Sequence, residues 1–243
     1  MASIAVYSVK GGVGKTTLAV NLAWCAATIS RRKTLLWDLD AANGSGFLLG
    51  LDPKKNRSAD SAFADGAELT KLIRPTAYAN LDLLAADESI RTLDRQLDKL
   101  GKKKRLAKLV EGLAKHYDRI IFDCPPVLNE ISAQVMRAAD LVIVPLPPSP
   151  LSARAFDLVV EEVRGSGKGH PPILPVLSML DLRRSLHREA REANPAWPAI
   201  PLASAVELCA VERKPVGAFA PRSPAARAMA QLWTAIERKL ASR

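Results

Sequence analysis

Cysteine is scarce in this chain. Its three residues, Cys25, Cys124 and Cys209, show no pairing in their spacing. A disulfide scaffold is excluded, and their apolar surroundings suggest reduced thiols in a cytoplasmic protein, with Cys124 as buried filler rather than a nucleophile. Histidine is equally sparse: His116, His170 and His187 fall at no metal-ligand spacing, so a zinc site has little support. No apolar run approaches the ~20 residues of a membrane span, and no signal peptide is expected ahead of the first strand. Aromatic residues make up 5% of the chain, and none interleaves with its basic runs. Base stacking on single-stranded nucleic acid is therefore disfavoured, and no recognition-helix pattern is evident. There is no internal repeat.

What is present begins with one run, Lys10-Gly11-Gly12-Val13-Gly14-Lys15-Thr16-Thr17. It fits the phosphate-loop pattern G-x-x-x-x-G-K-[ST] in a displaced form, without the strict first glycine. Ile4-Ala5-Val6-Tyr7 reads as a buried strand before it, and Thr17 to Ala23 as the opening of a helix after it. Glycines let successive N–H groups turn toward one anion, and the helix N-terminus adds partial positive charge. Lys15 is then expected to reach the β- and γ-phosphates, and the Thr16 hydroxyl to bind Mg²⁺.

Two further strands end in acids. Thr34 to Asp40 closes on Asp38-Leu39-Asp40, and Arg119 to Pro126 carries Asp123 ahead of Cys124-Pro125-Pro126. A lone D-x-D after a strand is as readily a cap or turn. An aspartate at the carboxyl end of an apolar strand can hold the water shell of Mg²⁺, which makes Asp123 a metal candidate. Lys10 is a second lysine in a loop that already has one. It is either a solvated turn charge or has a separate partner.

The string KGGVGKTT resembles the deviant phosphate loop of the ParA/MinD ATPases, and the D-x-D and D-x-P-P strands are similar to that family's next motifs. The likeness continues through Ala139 to Pro150, Leu177 to Arg183 and Ile200 to Val216, so it spans nearly the whole chain. It implies an ATP-sandwich homodimer in which Lys10 reaches the partner's nucleotide. It also implies that Asp40 positions the attacking water and that Asp38 supports the Mg²⁺ shell. The cofactors implied are ATP and Mg²⁺, held along residues 10–17. Ala41-Ala42 replaces the Pro-Gln usual in the family, a departure at the switch loop.

At 243 residues, one α/β P-loop domain over 1–243 is expected, with a mostly parallel, twisted sheet. Runs such as Ile120–Phe122 and Leu141–Val144 are apolar throughout, which predicts helices on both faces. Lys54 to Glu68 reads as a polar excursion. With the loop so near the start of the sequence, no N-terminal DNA-reading domain is expected.

Lys and Arg number 35 against 25 Asp and Glu, a formal net charge of +10. Each basic cluster alone reads as a solvated face, but together they point to a polyanion. Phosphate contacts give sequence-independent, salt-sensitive DNA affinity. The resemblance likewise implies nonspecific double-stranded DNA as a partner, nucleoid association, and an adaptor or cargo protein that stimulates hydrolysis. Charge alone selects Arg183, Arg184, Arg222 and Arg227 first, and the Lys102–Arg105 run second. Two other classes share these motifs. A MinD-like membrane ATPase would use the helix Ala226–Leu240, whose apolar spacing fits packing on the sheet better than a bilayer surface. A metabolic synthetase would bring extra substrate-binding sequence, and a cluster carrier a Cys-x-x-Cys pair where Cys209 stands alone.

Overall fold

Short aliphatic runs with no polar alternation are what strands buried on both faces require, and such strands organise this molecule. The computed structural model describes residues 1–52, 70–85, 105–165 and 169–242. The first half runs β1 (Ala2–Val6), α1 (Lys15–Thr28), β2 (Thr34–Asp38), α2 (Gly44–Leu48), β3 (Arg74–Pro75), β4 (Leu81–Leu84), α3 (Arg105–Leu113) and β5 (Arg119–Asp123). It continues through α4 (Glu130–Ala138), β6 (Leu141–Leu146), α5 (Pro150–Gly165), β7 (Ile173–Leu180), α6 (Ser185–Ala193) and β8 (Ala199–Pro201). Three helices close it: α7 (Ser204–Glu212), α8 (Val216–Phe219) and α9 (Pro224–Ala241).

Among the described residues the strands form one eight-stranded sheet in the order β3-β4-β2-β5-β1-β6-β7-β8. Every neighbouring pair is parallel except β3 with β4. This is the mostly parallel α/β sheet expected from the sequence. Its two faces carry separate cores. Ile4, Val6, Leu36, Ile121 and Ile143 pack with α1 and α9. Ala5, Leu35, Trp37, Phe122 and Val142 pack with α3, α4 and α5. The alternation of one strand's residues between the two lists is the pleat itself.

Register positions the chemistry. Val6 lies opposite Asp123 across the β1–β5 pair, and Asp38 lies opposite the same Asp123 across β2–β5. Three strands therefore end level, and their carboxyl ends deliver the glycine-rich loop, Asp38-Leu39-Asp40 and Asp123 to one edge. Ligands of open parallel sheets bind at this edge.

α9 packs on the sheet, as its apolar spacing predicts. Ser223 caps it by accepting from the Ala226 N–H, and Pro224 begins it. Met229, Leu232, Trp233 and Ile236 are buried. The Trp233 indole donates to Ser30 at 2.8 Å, and Glu237 pairs with Arg119 at 2.7 Å. The apolar stripe faces the sheet, not a bilayer. Of the other sequence-based expectations, the Lys54–Glu68 excursion and Lys102 to Lys104 lie outside the described residues; Arg105 begins α3.

Candidate active site

The glycine-rich loop leaves β1 and enters α1 through backbone conformations that L side chains rarely adopt. Gly12 has φ 70° and Gly14 φ 89°, the latter at the N-cap of α1. A Cβ on Gly11 or Gly12 would meet nothing within 4 Å, so this side of the loop is an open cradle. Lys15 reaches back across it, its Nζ donating to the Lys10 carbonyl at 3.1 Å. The side chain is largely buried, and burial lowers its pKa while Asp123 opposes the shift.

The acids below the loop are wholly buried. Asp38 accepts the Asp40 N–H on Oδ1 at 2.9 Å and the Ser45 N–H on Oδ2 at 3.0 Å. Asp123 accepts the Ser45 hydroxyl on Oδ2 at 2.9 Å, while its Oδ1 is buried without a hydrogen-bond partner. The Thr16 hydroxyl lies near enough to lower the Asp123 pKa, though it does not close a hydrogen bond to Oδ1. Burial raises both carboxyl pKa values, and Asp123 raises that of Asp38 further. Two buried acids held side by side, one with an orphaned oxygen, form a centre that a cation would relieve.

Asp40 is half-buried at the rim. Its Oδ1 accepts the Ala42 N–H at 3.0 Å and its carbonyl accepts the Asn43 N–H at 2.8 Å, so Ala41-Ala42 form a tight turn closed by the aspartate itself. Lys10 lies on the outer rim, where its Nζ donates to Ser152 at 3.1 Å and Ser149 at 3.4 Å. Among the described residues it has no carboxylate partner. Cys124 is buried beside Asp123, and burial pushes its thiol well up, which suits filler and not a nucleophile.

Beyond Gly14 the cradle opens into an apolar cavity of about 310 Å³ lined by Val13, Thr17, Leu18, Met179, Leu202 and Val206, among others. Sequence reasoning missed this cavity. Met179 was visible only as part of a strand, yet its φ of 52° breaks the β7–β8 register and lays its side chain against Gly14. The Ser178 hydroxyl fixes that strand end by donating to the Val13 carbonyl at 3.1 Å. Val13, Gly14 and Thr17 in its lining set this cavity directly beside the glycine-rich loop.

The four arginines chosen by charge are all exposed. Arg183 and Arg184 follow β7 at the carboxyl edge of the sheet. Arg183 is bound twice by Asp181, at 2.8 and 2.9 Å, and this holds the Asp181 pKa down at about 2. Arg184 has no acidic partner among the described residues. The turn is pinned from inside by His187, whose Nδ1 accepts the Asp181 N–H at 3.0 Å and is therefore unprotonated. Arg222 and Arg227 flank the start of α9, where Arg227 donates to the Arg222 carbonyl. Glu237 on the same helix meets the amino end of β5, and the 13 residues back to Pro224 span about 20 Å of helix. Met229 between them borders the apolar cavity beside Gly14, so Arg222 and Arg227 lie toward the same edge as Arg183 and Arg184. Arg213 differs: it donates to the Phe47 carbonyl and to Asp52, and lies over the Phe47 ring.

Comparison with known proteins gives three findings. A family profile described as an AAA domain matches residues 1–167. The chain is 31% identical to the sporulation initiation inhibitor protein Soj of Bacillus subtilis, over 75% of this chain and 74% of Soj. It is 30% identical to the chromosome partitioning protein ParA of Myxococcus xanthus, over 78% and 69%. Among solved structures, cobyrinic acid a,c-diamide synthase from Mycobacterium smegmatis, with bound ATP analogue and magnesium, superposes at a TM-score of 0.82 and 25% identity, over 98% of this chain and 94% of that one. The expectation that a synthetase carries extra sequence is corrected by that coverage. Length does not separate the two classes.

Proposed function

The chain belongs to the ParA family of P-loop ATPases, and from that premise we propose that two copies close on ATP, bind nonspecific double-stranded DNA and position a cargo through partner-stimulated hydrolysis. The observation that carries this reading is the division of labour between two lysines of one loop. Lys15 is buried over its own cradle, whereas Lys10 sits on the rim with, among the described residues, only two serine hydroxyls to hold it. A cation held by neutral hydroxyls alone can leave them for a phosphate that arrives from outside.

The donor set fits magnesium. Among the described residues no three acids, histidines or cysteines could cage a metal by themselves. Mg²⁺ instead takes one or two carboxylates, phosphate oxygens and water, so the Thr16 hydroxyl and the free oxygen of Asp123 suffice. Bound there, Mg²⁺ neutralises charge on the β- and γ-oxygens. Asp38 supports this shell through the backbone of Asp40 and Ser45, since both its oxygens are already engaged. Lys15 and the N–H groups of residues 11–17 hold the phosphates of their own subunit, and Lys10 holds those of the other. Asp40 orients water toward the γ-phosphate with the oxygen that does not close the Ala41-Ala42 turn. Intrinsic turnover is slow, because a switch must hold its state until a partner releases it. The cargo is a plasmid, a chromosome or a protein cluster.

The DNA surface is composite. Arg184, Arg222 and Arg227 lie toward the nucleotide edge, so closing two copies on ATP sums two sets of phosphate contacts. The test is fluorescence anisotropy of random-sequence duplex DNA with no nucleotide, ADP or ATP, at low and physiological salt. Binding is expected only with ATP, to weaken as salt rises, and to fall at least tenfold in a triple Arg184/Arg222/Arg227→Ala variant that still binds ATP. Binding that ignores nucleotide would reduce the basic charge to a generic polyanion effect. No DNA binding, with ATP-dependent attachment to anionic liposomes, would move the chain to the membrane class. Neither would favour a metabolic enzyme.

A further inference from the structure

We propose that Ser45 is the positioning residue of the metal centre: it anchors one oxygen of Asp123 so that the other is presented to Mg²⁺ beside Thr16. The inference rests on the Mg²⁺–ATP reading above and deepens it. Ser45 has no accessible surface and stands in the first turn of α2. It meets both buried acids at once, its N–H on Asp38 Oδ2 at 3.0 Å and its hydroxyl on Asp123 Oδ2 at 2.9 Å. The second bond joins residues 78 positions apart, so it is not a local helix cap. Among the described residues it is the one side-chain or backbone donor that closes a hydrogen bond to the Asp123 carboxylate.

A carboxylate with a single donor is fixed in rotation by that donor. With Oδ2 taken by Ser45, Oδ1 is left buried and unpartnered, and Thr16 is the hydroxyl beside Asp123. The polypeptide thereby holds one oxygen in reserve at the place where the phosphate-loop threonine contributes its own. Outer partners of this kind orient metal-binding groups and tune their affinity for the metal.

The seating of α2 reinforces the anchor. A Cβ on Gly44 would stand 3.0 Å from Thr16 Cγ2, so the residue before Ser45 leaves no room for a side chain beside the threonine. The other end of the helix is latched by Arg213, which donates to the Phe47 carbonyl at 3.1 Å and lies 4.9 Å from the Phe47 ring centroid. Asp40 and its turn lead directly into this helix. Any movement of the Asp40 turn must therefore shift Ser45, and with it the oxygen that Asp123 offers.

The test uses Mn²⁺ as a paramagnetic substitute for Mg²⁺. Its binding to the complex of the protein with a slowly hydrolysed ATP analogue is titrated by electron paramagnetic resonance, alongside analogue binding in EDTA. For Ser45→Ala the expected result is Mn²⁺ affinity about 10–100-fold weaker, with metal-free nucleotide affinity within about twofold of wild type. Ser45→Thr, which keeps the hydroxyl, should recover most of the loss. Ser45→Cys, near in size but a weak donor, should fall between, and carries the test if the alanine variant does not fold. Wild-type Mn²⁺ affinity in both Ser45→Ala and Ser45→Cys would overturn the proposal. So would equal losses with and without metal, which mark a purely structural role. If the wild-type protein itself bound nucleotide without Mn²⁺ coupling, the Mg²⁺–ATP reading would fail first and the role of Ser45 with it.

Discussion

Asp40 joins two duties in one side chain. One oxygen closes the Ala41-Ala42 turn by accepting the Ala42 N–H, and the other has no hydrogen-bond partner among the described residues. Replacing it with alanine removes a turn bond of about 1 kcal/mol and the group assigned to water. Nucleotide binding should survive, because the cradle and Lys15 are untouched. Single-turnover hydrolysis should fall on the order of a hundredfold or more, the usual loss when a positioned base is removed. Normal hydrolysis by Asp40→Ala would remove the assignment. At this scale the sequence was informative where chemistry depends on neighbours in the chain. The cradle needs Gly12, Gly14 and Lys15 within four positions, and the acids need strand ends. Ser45 and Met179 were not legible, since one acts on an acid 78 positions away and the other through a backbone twist that no residue pattern marks.

The elements follow from the same logic, with one ambiguity that only packing could resolve. An amphipathic helix carries an apolar stripe whether it lies on a membrane or on a sheet, so the spacing of α9 favoured the sheet without deciding it. In the fold its stripe is filled: Trp233 is fully buried, and its indole N–H is satisfied by Ser30. Among the described residues no helix is long and apolar enough to cross a membrane. Trp233→Ala should destabilise the protein by about 3–5 kcal/mol, measured by urea unfolding. A loss below 1 kcal/mol would mean that α9 leaves the sheet readily, and would reopen the membrane-surface reading. The strands were easier to read, because Ile120–Phe122 and Leu141–Val144 are short, β-branched-rich and apolar at every position, as strands of a doubly covered sheet are. Strand order was not legible. β5 pairs with both β1 and β2, which brings Asp123 level with Asp38, and chain order gives no hint of it.

For the whole molecule, the nucleotide edge carries what a second copy would need. Lys10 is loosely held there, and Val127, Leu128 and Leu151 stand exposed on the loop after Asp123 and at the start of α5. In the proposed dimer these aliphatic groups would be available to the second copy. The +10 charge opposes association of free subunits, and in the proposed closure the negative charge of ATP between them would offset it. The decisive measurement is sedimentation velocity of the hydrolysis-blocked Asp40→Ala protein with Mg²⁺ and ATP, with and without Lys10→Ala. Asp40→Ala alone should sediment as a dimer with ATP and as a monomer with ADP, and adding Lys10→Ala should return the ATP-bound protein to monomer. A monomer in every nucleotide state, or a dimer indifferent to Lys10, would mean that the second lysine does not reach across to a partner.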